Sequence, residues 1–448
     1  MPLISRHTTT SLLVVFALSA AVVSATPPRV VRATPDHTEI MVDPATKEIR
    51  IEFDQDMSPG GHSICGGGPA FPKLNGKPTW ENPRIMVIPV QLEAGHEYSF
   101  SINCPAAQNF RSAAGEPAVV YPITFRTAKP GEKPPVPPTP EENKKAAENL
   151  RKAIDEQYSY KELRKVDWAR RFTEHQQKLE TAASASGFAR AAADLLSAAN
   201  DPHISIRVNG FTLGTYRGKS AQPNFNGRLL STLITDLQDP NECVLTGTVS
   251  DIPYLLISTW GPADAAMLEP AFDFIREHAD APAMIVDVRV NGGGDETLAQ
   301  QVAGCFVDKP GVYSKNCYRD AKSPSGFGKT FDRTISPNKD RAAFKGRVAV
   351  LMGPTNMSSN ESFLLMMRVS PRCKLIGERS FGSSGNPKPH ELGNGVTVLL
   401  PSWKDMLPDG KVLEGKGVEP DIKVAAKPED FAKSDPVLEA AVKELRNK

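Results

Sequence analysis

Hydrophobic and polar positions follow different periods in different parts of the chain. Between residues 26 and 128, apolar and polar side chains alternate in short runs, as at residues 48–53 and 96–102, and glycine, proline and asparagine separate these runs. A two-residue period is typical of half-buried β-strands. We therefore predict an all-β domain over residues 26–128.

The pattern changes to a helical period beyond residue 141. Residues 141–204 carry apolar side chains at helical spacing, with Trp168 and Phe172 as apolar anchors, and predict a helical lead-in. Over residues 205–448 a polar segment is followed by alternating buried strands and helices, which favours an α/β core. The predicted strands are residues 254–258, 283–289, 346–352, 373–377 and 395–400, and the predicted helices are residues 262–279, 296–305 and 359–369.

Two segments lie outside these folded regions. Residues 129–140 contain six prolines in twelve positions and predict an extended linker, with a peptide ligand for aromatic grooves as the alternative.

Residues 1–25 have a polar start, an apolar run at residues 12–23 and small residues up to Ala25, which is typical of a cleaved export signal. The alternative is a membrane anchor, but crossing a bilayer requires about 20 apolar residues.

The charge balance narrows the possible partners. The chain has 53 Lys and Arg against 52 Asp and Glu, and Arg6 is the only charged residue of the predicted signal, so the remainder is formally neutral. Nucleic-acid binding and bulk attraction to acidic lipid both need a surplus of cations. We therefore expect an exported protein, periplasmic or secreted, without a nucleic-acid partner or stable membrane insertion. The oligomeric state stays open.

The six cysteines suit an oxidising compartment. None is spaced as Cys-x-x-Cys; Cys65 with Cys104 and Cys305 with Cys317 are candidate local disulfides, and six buried thiols are the alternative. The sequence has no His-Glu-x-x-His motif and no Cys/His ligand cluster. We therefore predict neither a metal nor a cofactor.

Candidate chemistry lies at three turns. The predicted strand at residues 283–289 leads into residues 292–294, three glycines whose N–H groups could bind an oxyanion or simply allow a tight turn. A second strand leads to Ser358 and Ser359 at a predicted helix start, where serine is also a common helix cap. His203 follows a helix in a turn, where functional groups often gather.

Taken in order, these motifs resemble the S41 family of tail-specific (C-terminal processing) and tricorn-type serine peptidases. The resemblance extends from about residue 141 to the C-terminus, and no PDZ-like segment separates the lead-in from the core. The matching motifs are VDW at 166–168, DPH at 201–203, YLLI at 254–257, DVRVNGGG at 287–294, SSNE at 358–361, GER at 377–379 and EGKGVEPD at 414–421.

The resemblance implies a crotonase/ClpP-like α/β spiral core and a serine endopeptidase that cleaves unfolded or extended polypeptides. It assigns Ser358 as nucleophile and the Gly292 and Ser359 N–H groups to the oxyanion. The tail-specific branch has a lysine base where this chain has Ser383, so the resemblance favours the tricorn-like branch. The base is then His203, oriented by Glu414.

A second resemblance concerns the N-terminal domain. Residues 51–57 are similar to the strand signature of bacterial immunoglobulin-like modules, which implies an immunoglobulin-like sandwich that serves as a spacer or substrate tether. The alternative function is a catalytically inactive S41-like protein that binds a peptide or other ligand. It rests on Ser383 and on Pro202, which stands where the tricorn-like branch has a serine.

Overall fold

The computed structural model describes residues 26–104, 106–218, 221–427 and 429–447. The chain divides between Pro134 and Pro135 into two compact units, which are taken in turn. The predicted export signal, residues 1–25, lies outside the described residues. In the described part of the chain, no helix combines the length and apolar character needed to span a bilayer.

The N-terminal unit consists of short strands, as its alternating pattern predicts. In the second strand Ile49, Ile51 and Phe53 are buried while the intervening residues are more exposed. Two antiparallel sheets form, in the orders β1-β2-β6-β4, with β5 also on β6, and β3-β7-β8. The strands are β1 (Val30–Thr34), β2 (Glu48–Phe53), β3 (Ile64–Cys65), β4 (Lys73–Leu74), β5 (Thr79–Asn82), β6 (Ile85–Gln91), β7 (Glu97–Ile102) and β8 (Tyr121–Arg126).

The second unit begins with helices. Thr139 starts the first of them with a reciprocal capping box, because its side chain accepts from the Glu142 N–H and its own N–H donates to the Glu142 carboxylate. The elements of this part are α1 (Pro140–Gln157), α2 (Lys161–Arg164), α3 (Trp168–Glu180), α4 (Ala185–Leu196), the 3-10 turn Ser197–Ala199, β9 (Ser205–Val208), β10 (Phe211–Gly214) and α5 (Gly227–Leu233).

Strands and helices then alternate to the C-terminus. The strands are β11 (Thr235–Asn241), β12 (Val244–Val249), β13 (Ile252–Ile257), β14 (Ala283–Asp287), β15 (Gly311–Arg319), β16 (Phe327–Ile335), β17 (Arg347–Met352), β18 (Cys373–Gly377), β19 (Pro387–Glu391), β20 (Val396–Pro401), β21 (Trp403–Met406) and β22 (Ile422–Lys423). The helices are α6 (Glu269–Glu277), α7 (Glu296–Ala303), α8 (Ser359–Arg368) and α9 (Pro436–Arg446), with 3-10 turns at Ala265–Leu268 and Asp430–Ala432.

A seven-stranded sheet, β11-β12-β13-β14-β17-β18-β22, forms the centre of this unit. From β13 onward its strands are parallel, with Asp287 of β14 opposite Leu351 of β17. One face packs on α6, α7 and α8, and the other face packs on α5 and α9. Because parallel strands end at the same sheet edge, the turn after β14 and the turn after β17 lie side by side. The predicted α/β core is therefore confirmed.

Two smaller sheets complete the unit. One has the order β10-β9-β20-β19, so that the predicted strand at residues 395–400 pairs antiparallel with β9. The other has the order β16-β15-β21 and contains the long hairpin β15–β16, which the hydrophobic pattern does not predict. The chain segment between β18 and β21 thereby passes close to the ends of β9 and β17.

The two candidate disulfides have different outcomes. Cys65 and Cys104 form a disulfide, with their Cα atoms 6.2 Å apart. Cys305 and Cys317 are both buried free thiols, so that predicted pairing is wrong. The Cys305 thiol contacts the Gln301 carbonyl at 3.6 Å at the end of α7, whereas Cys317 lies inside β15 between two partner strands. Proximity in sequence did not bring these side chains together.

Candidate active site

The turn between β17 and α8 presents Ser358. The conformation of this turn is fixed by Asn356. The Asn356 side chain accepts from the Gly353 N–H at 2.7 Å and donates to the Val288 carbonyl at 2.6 Å. Ser358 has φ +57° and ψ −130° and makes no side-chain cap hydrogen bond to α8. Such a conformation costs a non-glycine residue about 1–3 kcal/mol and is concentrated at functional sites. Ser358 thus stands at the helix N-terminus without acting as its hydrogen-bonding cap.

The glycine turn after β14 lies against this serine. A Cβ atom on Gly293, which has φ +109°, would lie 2.9 Å from both the Met357 carbonyl oxygen and the Ser358 Cβ. The Gly293 N–H donates to Asn291 Oδ1 at 2.9 Å, whereas Gly292 is exposed and a Cβ there would meet nothing within 4 Å. The close approach therefore requires glycine at position 293, and position 292 borders open space.

Ser359 and Trp260 join the glycine turn to helix α8. The Ser359 hydroxyl donates to the Gly294 carbonyl at 2.6 Å. The Trp260 N–H donates to the Gly293 carbonyl at 3.0 Å, and its indole N–H donates to Asn360 Oδ1 at 2.8 Å. Within the described ranges, the backbone N–H groups of Gly292 and Ser359 donate to no acceptor. These two N–H groups are the predicted oxyanion donors.

His203 lies in the turn after α4, as predicted. Its backbone N–H donates to Asp201 Oδ1 at 2.9 Å, and its ring Nδ1 is hydrogen-bonded to the Ser383 hydroxyl at 2.9 Å. Burial lowers the pKa of His203 from its ordinary value, with the Arg164 charge acting in the same direction and the Asp201 charge against it. No hydrogen bond joins this ring to Ser358 among the described side chains. Since Nδ1 is engaged, Nε2 is the nitrogen left for proton transfer.

Ser383 connects the groups around His203 and is one of the residues that the sequence did not identify. Its hydroxyl also donates to Glu414 Oε1 at 3.4 Å, and its carbonyl accepts the Ser358 N–H at 2.7 Å. The sequence shows it only as the position where a lysine base is missing. Pro202 was the available signal, because a chain without a hydroxyl next to its histidine needs one from elsewhere.

Glu414 lies behind Ser383 and is buried. One carboxylate oxygen accepts the Ser384 N–H at 2.9 Å, and the other forms an ion pair with Arg164 of α2. Burial raises the pKa of Glu414 well above its ordinary value; the neighbouring Asp201 charge raises it further, and the Arg164 guanidinium opposes both. The three predicted residues are thus in one region, and the His203 ring and Glu414 are linked through a hydroxyl.

Glu361 holds the segment that carries Ser383. It is fully buried in the first turn of α8 and accepts three hydrogen bonds, from the Ser380 hydroxyl at 2.5 Å and from the Gly382 and Ser383 N–H groups at 2.9 Å each. Burial is the main cause that raises its pKa to about 8. The motif glutamate is therefore an anchor for the loop next to Ser358.

The arrangement suits acyl transfer to a serine hydroxyl. It supplies a hydroxyl at a helix N-terminus, adjacent backbone donors and a histidine of lowered pKa, which are the parts that nucleophilic catalysis by serine requires. In the described part of the chain, no group of three or more His, Cys, Asp or Glu side chains is arranged to hold a metal ion.

Comparison with known proteins agrees with this class of site. Residues 251–424 match the model of peptidase family S41, so the chain carries a domain of that family. It is 29% identical over 153 residues to a CtpA-like serine protease of Staphylococcus haemolyticus, covering 34% of this chain and 29% of that protein. It is 28% identical over 191 residues to the carboxy-terminal processing protease CtpA of Bacillus subtilis, covering 43% and 38%. The chain spans less than half the length of these curated relatives.

Solved structures share the fold. The crystal structure of a peptidase candidate from Parabacteroides merdae superposes with a TM-score of 0.58 at 23% identity, over 69% of this chain and 98% of the other. A serine-to-alanine mutant of CPAF superposes with a TM-score of 0.50 at 12% identity, over 69% and 99%. At these identities the likeness concerns the fold alone.

Proposed function

We propose that the protein is an exported serine endopeptidase that hydrolyses peptide bonds of unfolded or extended polypeptides. The observation that carries this proposal is the left-handed conformation of Ser358 at the start of α8, with unengaged N–H groups beside it and the His203–Ser383 hydrogen bond behind it. A strained serine whose hydroxyl does not cap the helix is explained by nucleophilic use better than by folding.

The proposed chemistry uses one covalent intermediate. His203 Nε2 takes the proton of the Ser358 hydroxyl as the oxygen attacks the scissile carbonyl, and the Gly292 and Ser359 N–H groups bind the resulting oxyanion. Each such donor is worth roughly 3 kcal/mol. The C–N bond then breaks as His203 returns the proton to the leaving amine, and water hydrolyses the acyl-serine by the same route. Glu414 and Ser383 keep the Nδ1 proton in place.

The lack of a hydrogen bond between the His203 ring and Ser358 is compatible with this chemistry, because catalytic hydrogen bonds often form only when substrate is bound. The inactive, ligand-binding alternative is not favoured. Its two reasons were the missing lysine and Pro202. His203 is the proposed base in place of lysine, and the Ser383 hydroxyl, 2.9 Å from His203, provides the contact that Pro202 cannot make.

The N-terminal unit and the first 25 residues complete the proposal. We assign the strands of the N-terminal unit to a bacterial immunoglobulin-like sandwich that acts as a spacer or substrate tether, connected by the proline-rich linker.

Export is supported by the signal-like pattern of residues 1–25 and by the Cys65–Cys104 disulfide, since disulfides persist in oxidising compartments. Mass spectrometry of the protein recovered outside the cytoplasm tests this assignment, with cleavage after Ala25 as the expected result.

Activity is tested with a fluorescently labelled unfolded protein and with a fluorophosphonate probe that reacts with activated serines. Wild-type protein should cleave the substrate and acquire the probe on Ser358. The Ser358→Ala variant should lose both signals, and His203→Ala should lose them by at least about a hundredfold. Ser325→Ala is the matched control, because Ser325 is an exposed loop serine and should react like wild type. Equal cleavage by wild type and Ser358→Ala would exclude the peptidase assignment.

A further inference from the structure

Arg164 is the charge that ties the helical lead-in to the candidate relay. It is the last residue of the four-residue helix α2, and its side chain is 20% exposed. Its guanidinium forms an ion pair with Glu414 and lies 3.5 Å from Asp201 Oδ2. Both carboxylates are almost completely buried, with 1% of each side chain exposed. One cation therefore balances two buried acids that flank His203 and Ser383.

The surroundings of Glu414 make this cation important. Buried carboxylates become protonated unless a positive charge or several hydrogen bonds favour the charged form. Glu414 accepts the Ser384 N–H, the Ser383 hydroxyl and the Arg164 guanidinium. The charged groups that act on it are Arg164 from α2, Asp201 from the turn after α4 and Glu361 from α8, and Glu414 in turn acts on Tyr160 before α2. Two further titratable groups bond its hydrogen-bonding partners: His203 bonds the Ser383 hydroxyl, and Asp405 of β21 bonds the Ser384 hydroxyl.

The charge of Glu414 determines whether the Ser383 hydroxyl donates to Glu414 or to His203. When Glu414 is a carboxylate, the Ser383 O–H points to it, and the Ser383 oxygen is left to accept the Nδ1–H of His203. When Glu414 is protonated, this direction is no longer imposed, and Ser383 can donate to an unprotonated Nδ1. In that second arrangement Nε2 carries the proton and cannot accept one from Ser358.

We propose that Arg164 is a positioning residue of the relay: its ion pair keeps Glu414 an acceptor for Ser383 and thereby sets which ring nitrogen of His203 carries the proton. The inference rests on the proposed function for its kinetic consequence only. It also makes the docking of α2 a condition for a competent site, since the lead-in helix supplies the charge.

The kinetic test compares the pH dependence of kcat/KM in wild type, Arg164→Met and Arg164→Lys. Loss of the cation raises the pH at which Glu414 ionises, so the acid limb of Arg164→Met should move upward by about one pH unit or more, with at least about a tenfold loss at pH 7 that shrinks at higher pH. Arg164→Lys keeps the charge and should lie between the two. An equal loss at every pH, or no loss, would mean that Arg164 has a purely structural role.

A matched control is available on the same helix. Glu162 of α2, whose side chain is exposed, forms an ion pair with the nearly buried Arg319 and has no bond to a relay residue among those described. Glu162→Gln therefore weakens the attachment of α2 without changing the charge next to Glu414, and its acid limb should coincide with that of wild type. An upward shift in Glu162→Gln equal to that in Arg164→Met would attribute the effect to helix docking and overturn the proposal.

A second measurement does not depend on activity. Histidine-selective ¹⁵N labelling of the full chain, with His203→Gln to assign the signal, reports the tautomer of His203 by NMR. Wild type should show Nδ1–H at pH values where Glu414 is ionised, and Arg164→Met should shift the population toward Nε2–H at the same pH. Unchanged tautomer populations in a folded Arg164→Met would reject the inference. If wild type shows no Ser358-dependent cleavage, the proposed function fails, and the NMR result still decides the role of Arg164.

Discussion

The two halves of the candidate active site are built by different means. The nucleophile half consists of residues 291–294 and 353–359, two turns that follow neighbouring parallel strands and are shaped by backbone geometry. The relay half consists of Arg164, His203, Ser383 and Glu414, whose members are up to 250 residues apart and are joined by buried charges and a hydroxyl.

The two halves should therefore differ in how their function depends on pH. The nucleophile half, residues 291–294 and 353–359, contains no acidic or basic side chain. The relay half contains His203, whose pKa is lowered by burial, and Glu414, whose pKa is raised by burial. Substitutions in the first half should therefore act equally at all pH values. Substitutions in the second half should change how activity or stability depends on pH.

The largest effect is expected from Gly293→Ala in the nucleophile half. The new Cβ would lie 2.9 Å from the Ser358 Cβ, and φ is +109°, so the turn must shift. We expect a loss of about a hundredfold in kcat, because small displacements of reacting groups have effects of that size. The free energy of unfolding should fall by about 2 kcal/mol. Rate assays at several pH values and urea unfolding measure both.

Gly410→Ala is the control for this substitution. Gly410 has a similarly unfavourable φ of +86°, but an added Cβ would meet nothing within 4 Å. This variant should lose some stability and keep the wild-type rate. Activity of Gly293→Ala within about threefold of wild type would show that close packing against Ser358 is unnecessary.

A smaller effect is expected from Ser383→Ala in the relay half. It removes the link between His203 and Glu414, and a hydrogen bond to a charged group is worth roughly 2 kcal/mol, or about thirtyfold in rate. The loss should appear in kcat with little change in KM, since Ser383 lies behind the histidine. Ser383→Thr should restore much of the rate. Ser231→Ala, at an exposed position of α5, should have no effect. A change confined to KM would contradict a relay role.

The effect expected from Glu361 concerns stability, and it is the smallest of the three when taken per pH unit. Its pKa is raised to about 8 in the folded protein from an ordinary 4.5, so the folded state binds a proton that the unfolded state releases between these values. The free energy of unfolding should therefore fall as pH rises from about 5 to 8, by up to about 1.4 kcal/mol per pH unit from this group. Glu361→Gln should have a shallower slope in urea unfolding across that range.

Glu391→Gln provides the comparison for the unfolding series. Glu391 is exposed on β19 and should leave the slope of wild type unchanged. Parallel slopes for wild type and Glu361→Gln would show that Glu361 does not titrate in this range, and would remove it from the ionisable part of the site.

The strands and helices around the nucleophile were readable in the sequence. The predicted strands at residues 346–352 and 373–377 correspond to β17 and β18, and the predicted helix at residues 359–369 corresponds to α8. Strands covered on both faces need continuous apolar runs, and such runs are visible without a structure. The hairpin strand β16 was not readable because most of its residues are exposed, so it has no apolar period.

The candidate site was only partly predictable. The sequence identified Ser358, the glycine turn and His203, because each belongs to a short motif at the end of an element. It did not identify Arg164 or Ser383 as partners of the relay. Arg164 occurs among many charged residues of an amphipathic segment, where a solvated face is the ordinary expectation.

The sequence by itself determined the buried strands and amphipathic helices around Ser358 and which serine follows a buried strand, because periodicity and turn residues act over a few neighbouring positions. Only the tertiary structure decided that the hydroxyl next to His203 comes from Ser383, 180 residues away, and that the charge next to Glu414 comes from α2. Hydrogen bonds and ion pairs between distant segments depend on how the sheets and helices pack, and no local pattern records that packing.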